Sequence, residues 1–200
     1  MFEGGEGCGK STQAGLLASR LGCVLTQQPG GTPIGARLRE LLLDPETGDL
    51  DPRTEALLMA ADRAQHVAEL IEPTLTAGTH VVCDRYGGSS VAYQGYGRGL
   101  DPDEVGRLSE WATGGLRPDL VLLLVVPAET ANERLGTERD RFEAADAQFH
   151  RRVAEGFAKQ AEADPDRWVV IDGAGSVADV AARVSAVVTS RLDVGSLTDE

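Results

Sequence analysis

Gly4-Gly5-Glu6-Gly7-Cys8-Gly9-Lys10-Ser11 fits the spacing GxxxxGK[ST] in full. Glycines let successive backbone N–H groups turn inward around phosphate oxygens. The lysine then reaches the β- and γ-phosphates, and the Ser11 hydroxyl is placed to bind Mg²⁺. Such a loop follows a buried strand and opens a helix, whose positive N-terminal end adds to the anion cradle. Met1-Phe2-Glu3 precedes it here and an amphipathic stretch, 10–21, follows. Gly4, Gly5, Glu6, Gly7, Cys8, Gly9, Lys10, Ser11 and Thr12 are therefore the expected nucleotide-binding residues. Only three residues precede Gly4, so either the first strand is truncated or the true start lies upstream.

The rest of the chain agrees with that context. Short apolar runs at 1–3, 24–26, 80–84, 120–126 and 168–172 read as strands; the last three are continuous, as in a sheet covered on both faces. Helices are expected at 10–21, 34–43, 53–71, 102–113, 141–163 and 176–191. Asp51-Pro52 and Asp101-Pro102 supply two of the starts. Leu57, Ala61, Ala64, Ala68 and Ile71 form a stripe at helical spacing, expected to face the core. Residues 135–140 read as a mobile loop between helices, and 193–200 as a frayed polar tail. The expected fold is α/β of the P-loop NTPase type. It is a single domain over 1–200, with a five-stranded parallel sheet between helical layers and a short lid at about 135–141.

Charge and composition narrow the function. A formal net charge of −13 argues against general nucleic-acid or anionic-membrane binding. No apolar run reaches the length of a membrane span. Three scattered cysteines without CxxC spacing read as reduced, in a cytoplasmic protein. Cys8, beside Lys10, is either a reactive thiol or a small neutral filler, the filler being favoured. Basic residues comprise 17 Arg and two Lys, and one of those lysines is Lys10. The base-reading Asn-Lys-x-Asp of GTPases is absent, since the only asparagine, Asn132, is followed by Glu133. The run at 80–84 ends in Asp84-Arg85-Tyr86. An Asp at the carboxyl end of a buried parallel strand lies at the ligand edge of the sheet, where it can hold Mg²⁺ with Ser11. Arg85 beside it can pair with a phosphate.

Further segments sharpen this reading: Pro29-Gly30-Gly31-Thr32, Ala60-Ala61-Asp62-Arg63-Ala64-Gln65-His66, Ser89-Ser90-Val91-Ala92-Tyr93-Gln94-Gly95, Gly97-Arg98-Gly99, Arg117-Pro118-Asp119-Leu120 and Asp140-Arg141-Phe142-Glu143. With the P-loop and Asp84-Arg85-Tyr86, they make the chain resemble the thymidylate kinase family over nearly its whole length. The resemblance implies transfer of a phosphoryl group from ATP to dTMP with Mg²⁺, and a homodimer. It gives Arg63 the thymine edge, Arg39 and Arg85 the dTMP phosphate, and Ser90 and Gln94 the base site. Tyr93 would lie under the deoxyribose, Met59 against the base, and Glu6 near the 3′-hydroxyl.

Lys10, Arg85 and a mobile arginine would supply positive charge around the moving phosphoryl group. Gly7 leaves no arginine in the P-loop, so the lid must provide it. Arg134, Arg139 and Arg141 are the candidates; Arg139 is chosen, whereas Arg141 belongs to a segment that could be structural. Four departures from the family pattern are expected to matter. Gln27-Gln28 replaces an Arg-Glu pair, and Met59 replaces an aromatic, which should weaken base selectivity. Gly87-Gly88 should loosen its loop. The lid is about two residues short. Two alternatives follow: a kinase for another nucleoside monophosphate, and a nucleotide-binding pseudokinase.

Overall fold

The computed structural model describes residues 1–136 and 139–192. Five strands form one parallel sheet in the order β2-β3-β1-β4-β5. They are β1 (Phe2–Glu3), β2 (Val24–Gln27), β3 (Val81–Asp84), β4 (Val121–Val125) and β5 (Trp168–Asp172). Phe2 pairs with Asp84 on one side and Leu122 on the other, so the P-loop leaves the sheet centre beside Asp84. Alternate residues of β4 serve opposite layers. Leu122 and Leu124 join Phe2, Leu17, Ile171 and Val184 under α1 (Lys10–Leu21) and α9 (Val177–Arg191). Leu123 joins Tyr93, Phe142, Phe149 and Phe157 on the other face.

Caps set the helix starts. α2 (Pro33–Leu43) begins where Thr32 Oγ1 accepts from the Gly35 N–H. α3 (Pro52–His66) begins at Asp51, whose carboxylate accepts from Arg53 and Thr54. α3 continues through a wide turn, Val67–Ile71, into α4 (Glu72–Thr76). α5 (Gly87–Ser90) likewise opens a wide turn, Val91–Gly97. α6 (Pro102–Ala112) is capped by Asp101, α7 spans Ala128–Arg134, and α8 (Ala147–Ala163) is capped by Asp146.

Three expectations are corrected here, and two helices are added. α8 starts at Ala147, not near 141, because Asp140 accepts from the Phe142 and Glu143 N–H groups and holds that stretch in turns. The helices at 87–97 and 128–134 were not anticipated. Of the stripe, Leu57, Ala61 and Ala68 are exposed, Leu57 by 58%, Ala64 is half-buried, and Ile71 alone is buried in the core. α3 instead buries Glu55, Ala56, Ala60, Asp62, Arg63 and His66, because its inner face builds a polar site. Finally, Gly87-Gly88 opens a helix rather than a loose loop. A Cβ at Gly88 would meet the Trp168 ring at 2.7 Å, so the glycine makes room for that indole. Thr137, Glu138 and the tail at 193–200 lie outside the described residues.

Candidate active site

The P-loop and the carboxyl ends of β1 and β3 meet at one edge of the sheet. Lys10 is buried, and its Nζ donates to the Gly5 carbonyl at 2.7 Å. Cys8 is also buried, packed with the core residues under α1, as a small filler would be. Gly7 has φ +70° and its Cβ would lie 2.4 Å from the Ala131 carbonyl oxygen. An arginine there would collide with α7. Gly4 and Gly9 likewise hold positive φ in the cradle, while Thr12 is exposed in the first turn of α1.

Ser11 Oγ donates to Asp84 Oδ2 at 2.5 Å. Asp84 Oδ1 is buried with no hydrogen-bond partner among the described residues. A buried carboxylate oxygen without a donor carries a desolvation penalty unless something positive joins it. This hard-oxygen pair therefore fits a divalent cation.

Arg85 sits between the P-loop and a neighbouring cleft. It is the only non-glycine residue with positive φ among those described, at 69°. Such a backbone costs on the order of 1–3 kcal/mol and persists where the surroundings over-determine it. Here its N–H donates to the Phe2 carbonyl. Its guanidinium donates to the Gly4 carbonyl (2.9 Å), Ser89 Oγ (3.1 Å), Glu6 Oε1 (2.7 Å) and Tyr93 Oη (3.3 Å). Burial alone would raise the Glu6 carboxyl. Arg85, Lys10 and the Tyr93 hydroxyl overcome it and hold the carboxyl at about 2, so Glu6 is ionised at neutral pH. Tyr93 donates to Glu6 at 2.9 Å, and its ring stands edge-on to Phe142, Phe149 and Phe157.

That cleft is lined by Glu6, Arg39, Met59, Arg63, Arg85, Ser90, Tyr93 and Gln94, every residue expected of the acceptor site. The sequence reading missed Leu43, Asp62, Ser89, Asp140 and Phe142, which line it too. Arg63 is fully enclosed and held by neutral acceptors alone. Nε donates to Gln28 Oε1, NH1 to Ser109 Oγ, and NH2 to the Tyr86 carbonyl and Ser90 Oγ. Since Gln28 presents Oε1 to Arg63, its Nε2 donates to His66 Nδ1 (2.8 Å). His66 Nε2–H must then donate to Thr26 Oγ1 (2.7 Å). Burial, then Arg63, pull His66 down to about 4 and keep it neutral. Arg39 reaches over the cleft with NH1 donating to the Pro29 carbonyl.

The three candidate arginines of the lid segment separate. Arg141 is tied to Glu55 and to the Leu42 carbonyl. Arg134 lies beside Gly9, with two long bonds to the Gly173 carbonyl. Arg139 is exposed, with one long bond to the Glu143 carbonyl at 3.4 Å, and does not line the cleft. No helix among the described residues is long and apolar enough to cross a membrane.

A sequence profile of the family described as Thymidylate kinase matches residues 2–184. The chain is 50% identical to the thymidylate kinase of Synechococcus sp. (strain JA-2-3B'a(2-13)), over 98% of this chain and 96% of the relative. It is 44% identical to that of Geotalea uraniireducens (strain Rf4), over 97% of each chain. The crystal structure of thymidylate kinase from Ehrlichia chaffeensis superposes with a TM-score of 0.80 at 32% identity, covering 94% of this chain and 96% of that one.

Proposed function

Because the chain belongs to the thymidylate kinase family, we propose that it transfers the γ-phosphoryl group of ATP to dTMP, giving dTDP and ADP in dTTP biosynthesis. One observation carries the assignment of roles. Arg85, on a strained backbone, joins the P-loop carbonyl of Gly4 to the cleft lined by the acceptor residues. A phosphoryl donor held by the P-loop and an acceptor phosphate held by Arg85 and Arg39 would thus be neighbours.

The protein's share of this reaction is placement and charge. The P-loop N–H groups and Lys10 hold the donor phosphates. Ser11 and Asp84 are the residues that would hold Mg²⁺, which when bound neutralises charge on the phosphate oxygens. Glu6, ionised and bonded to Tyr93 and Arg85, fixes the Arg85 fork and faces the sugar. Tyr93 fills the floor beneath the deoxyribose. Arg63, a charged group whose own hydrogen bonds go to neutral acceptors, presents a donor to a base carbonyl. Ser90 and Gln94 complete the base pocket, and Met59 packs on the ring. Arg139 is the arginine of the lid segment that would reach the transferred group.

A coupled ADP-release assay over dTMP, dUMP, dGMP and dCMP tests the reading. We expect ADP release that depends on an acceptor and is fastest with dTMP. Preference for another monophosphate would make the protein a different nucleoside monophosphate kinase, the reading Met59 and the Gln27-Gln28 pair favour. ADP release that requires added dTMP would exclude the nucleotide-binding pseudokinase, whereas nucleotide binding without acceptor-dependent ADP release would leave it.

The protein is read as one kinase domain acting as a cytoplasmic homodimer, with no nucleic-acid or membrane partner. Its three cysteines are free, in keeping with a reducing compartment. Ile34 and Leu41 on α2, and Leu57 on α3, leave apolar side chains exposed on two adjacent helices. A second copy covering them would account for the outward stripe. Leu57→Asp should shift the sedimenting species from dimer to monomer. A wild-type monomer at micromolar concentration would remove the dimer from this reading.

A further inference from the structure

Glu55 takes no part in the roles above, yet its carboxylate is fully buried near the start of α3, one turn before Met59. Donors from two separate segments converge on it. Oε1 accepts from Gln94 Nε2 at 2.9 Å and Arg98 Nε at 3.2 Å, and Oε2 accepts from Arg141 NH2 at 2.5 Å. Arg141 also donates from Nε to the Leu42 carbonyl, and its backbone N–H donates to the Leu43 carbonyl. The Arg98 and Arg141 guanidinium groups both lie over the Phe142 ring, at 5.6 and 4.9 Å from its centre. Phe142 and Asp140 wall the acceptor cleft from a turn that belongs to no strand or helix. Beyond that turn's own bonds, Glu55 is the charged point that ties it to the cleft, and the same carboxylate holds Gln94, which also lines the cleft.

We propose that Glu55 is a positioning residue for phosphoryl transfer, fixing the Asp140–Phe142 turn and Gln94 to one point of α3 so that the acceptor is enclosed and oriented together. The proposal rests on the reading of the cleft as the acceptor site. Glu55 touches neither substrate. It acts on the acceptor side alone, because Lys10, Ser11 and Asp84 share no bond with it.

The test compares dTMP-dependent transfer with ATP hydrolysis in the absence of acceptor, in Glu55→Gln, Arg141→Met and the double variant. Misplacing acceptor groups by about 1 Å costs on the order of 100-fold, so the transfer-to-hydrolysis ratio should fall at least about tenfold in each single variant. Hydrolysis without acceptor should stay near wild type, which also counts the folded protein. Since both residues act through one tie, the double variant should lose little beyond the worse single. Should Glu55→Gln fail to fold, Arg141→Met carries the same expectation. An unchanged ratio, with transfer and hydrolysis falling together, is what a merely structural ion cluster gives, and it would overturn the proposal. A wild type whose ADP release depends on none of dTMP, dUMP, dGMP and dCMP would overturn the acceptor-site reading and this proposal with it. A dTMP-dependent wild type with an unchanged ratio in the variants would overturn this proposal alone.

Discussion

Lys10→Ala should lower phosphoryl transfer by about 1,000-fold or more while the protein keeps its fold, because removing one preorganised charge from a phosphate site costs at least the 10²–10³ seen for single donors of developing charge. The Lys10 ammonium is buried, and its contacts are the Gly5 carbonyl and, at 3.5 Å, Cys8 Sγ. Those contacts hold the ammonium within the loop, ready for the donor phosphates. No other lysine can replace it. Lys159, the second of two, is exposed on α8 and paired with Glu155. The neighbouring Glu6 keeps Arg85 at 2.7 Å, so the substitution does not strand a carboxylate. Steady-state transfer, with circular dichroism and thermal melting as the check on folding, reads the effect. Turnover within tenfold of wild type would remove Lys10 from the mechanism.

The same residues show what a sequence exposes and what it hides. The P-loop, Asp84 and the strand runs were legible because their chemistry is local: a fixed spacing, a strand end, a continuous apolar run. The helix starts at Asp51-Pro52 and Asp101-Pro102 were legible for the same reason. The face of α3 was not. Leu57, Ala61 and Ala68 made the apolar stripe, and an apolar stripe ordinarily faces a core. Here the inner face carries Glu55, Asp62, Arg63 and His66, whose burial is compensated by partners 23 to 86 positions away in the chain. A carboxylate spaced one helical turn from Met59 and two from Arg63 was the available signal for Glu55. Only the tertiary fold supplies Arg98 and Arg141 to it. Gly88 failed for a related reason, since its steric purpose is Trp168, which lies 80 residues further on.

Arg139→Ala should reduce kcat by about 1,000-fold with KM for ATP and dTMP nearly unchanged, the pattern of a contact made only in the transition state and the size expected of an arginine finger. The argument runs by disposition of charge. Gly7 cannot carry an arginine, because its Cβ position is already occupied by the Ala131 backbone. Arg141 is committed to Glu55 and the Leu42 carbonyl, and pulling it away would leave the buried carboxylate with Gln94 and a single countercharge, Arg98. Arg134, on α7, makes two long bonds to the Gly173 carbonyl, at the end of β5, against the single long bond of Arg139. Arg139 gives up least by moving, since its bond to the Glu143 carbonyl is long and exposed to water. Bond strength falls steeply at such a distance and solvent replaces it at small cost. Arg139→Lys should recover little, because an ammonium cannot span two phosphate oxygens as the planar fork does. If Arg134→Ala lowers kcat in this way and Arg139→Ala does not, the transferred group is met from α7, and Arg134 takes the role assigned to Arg139.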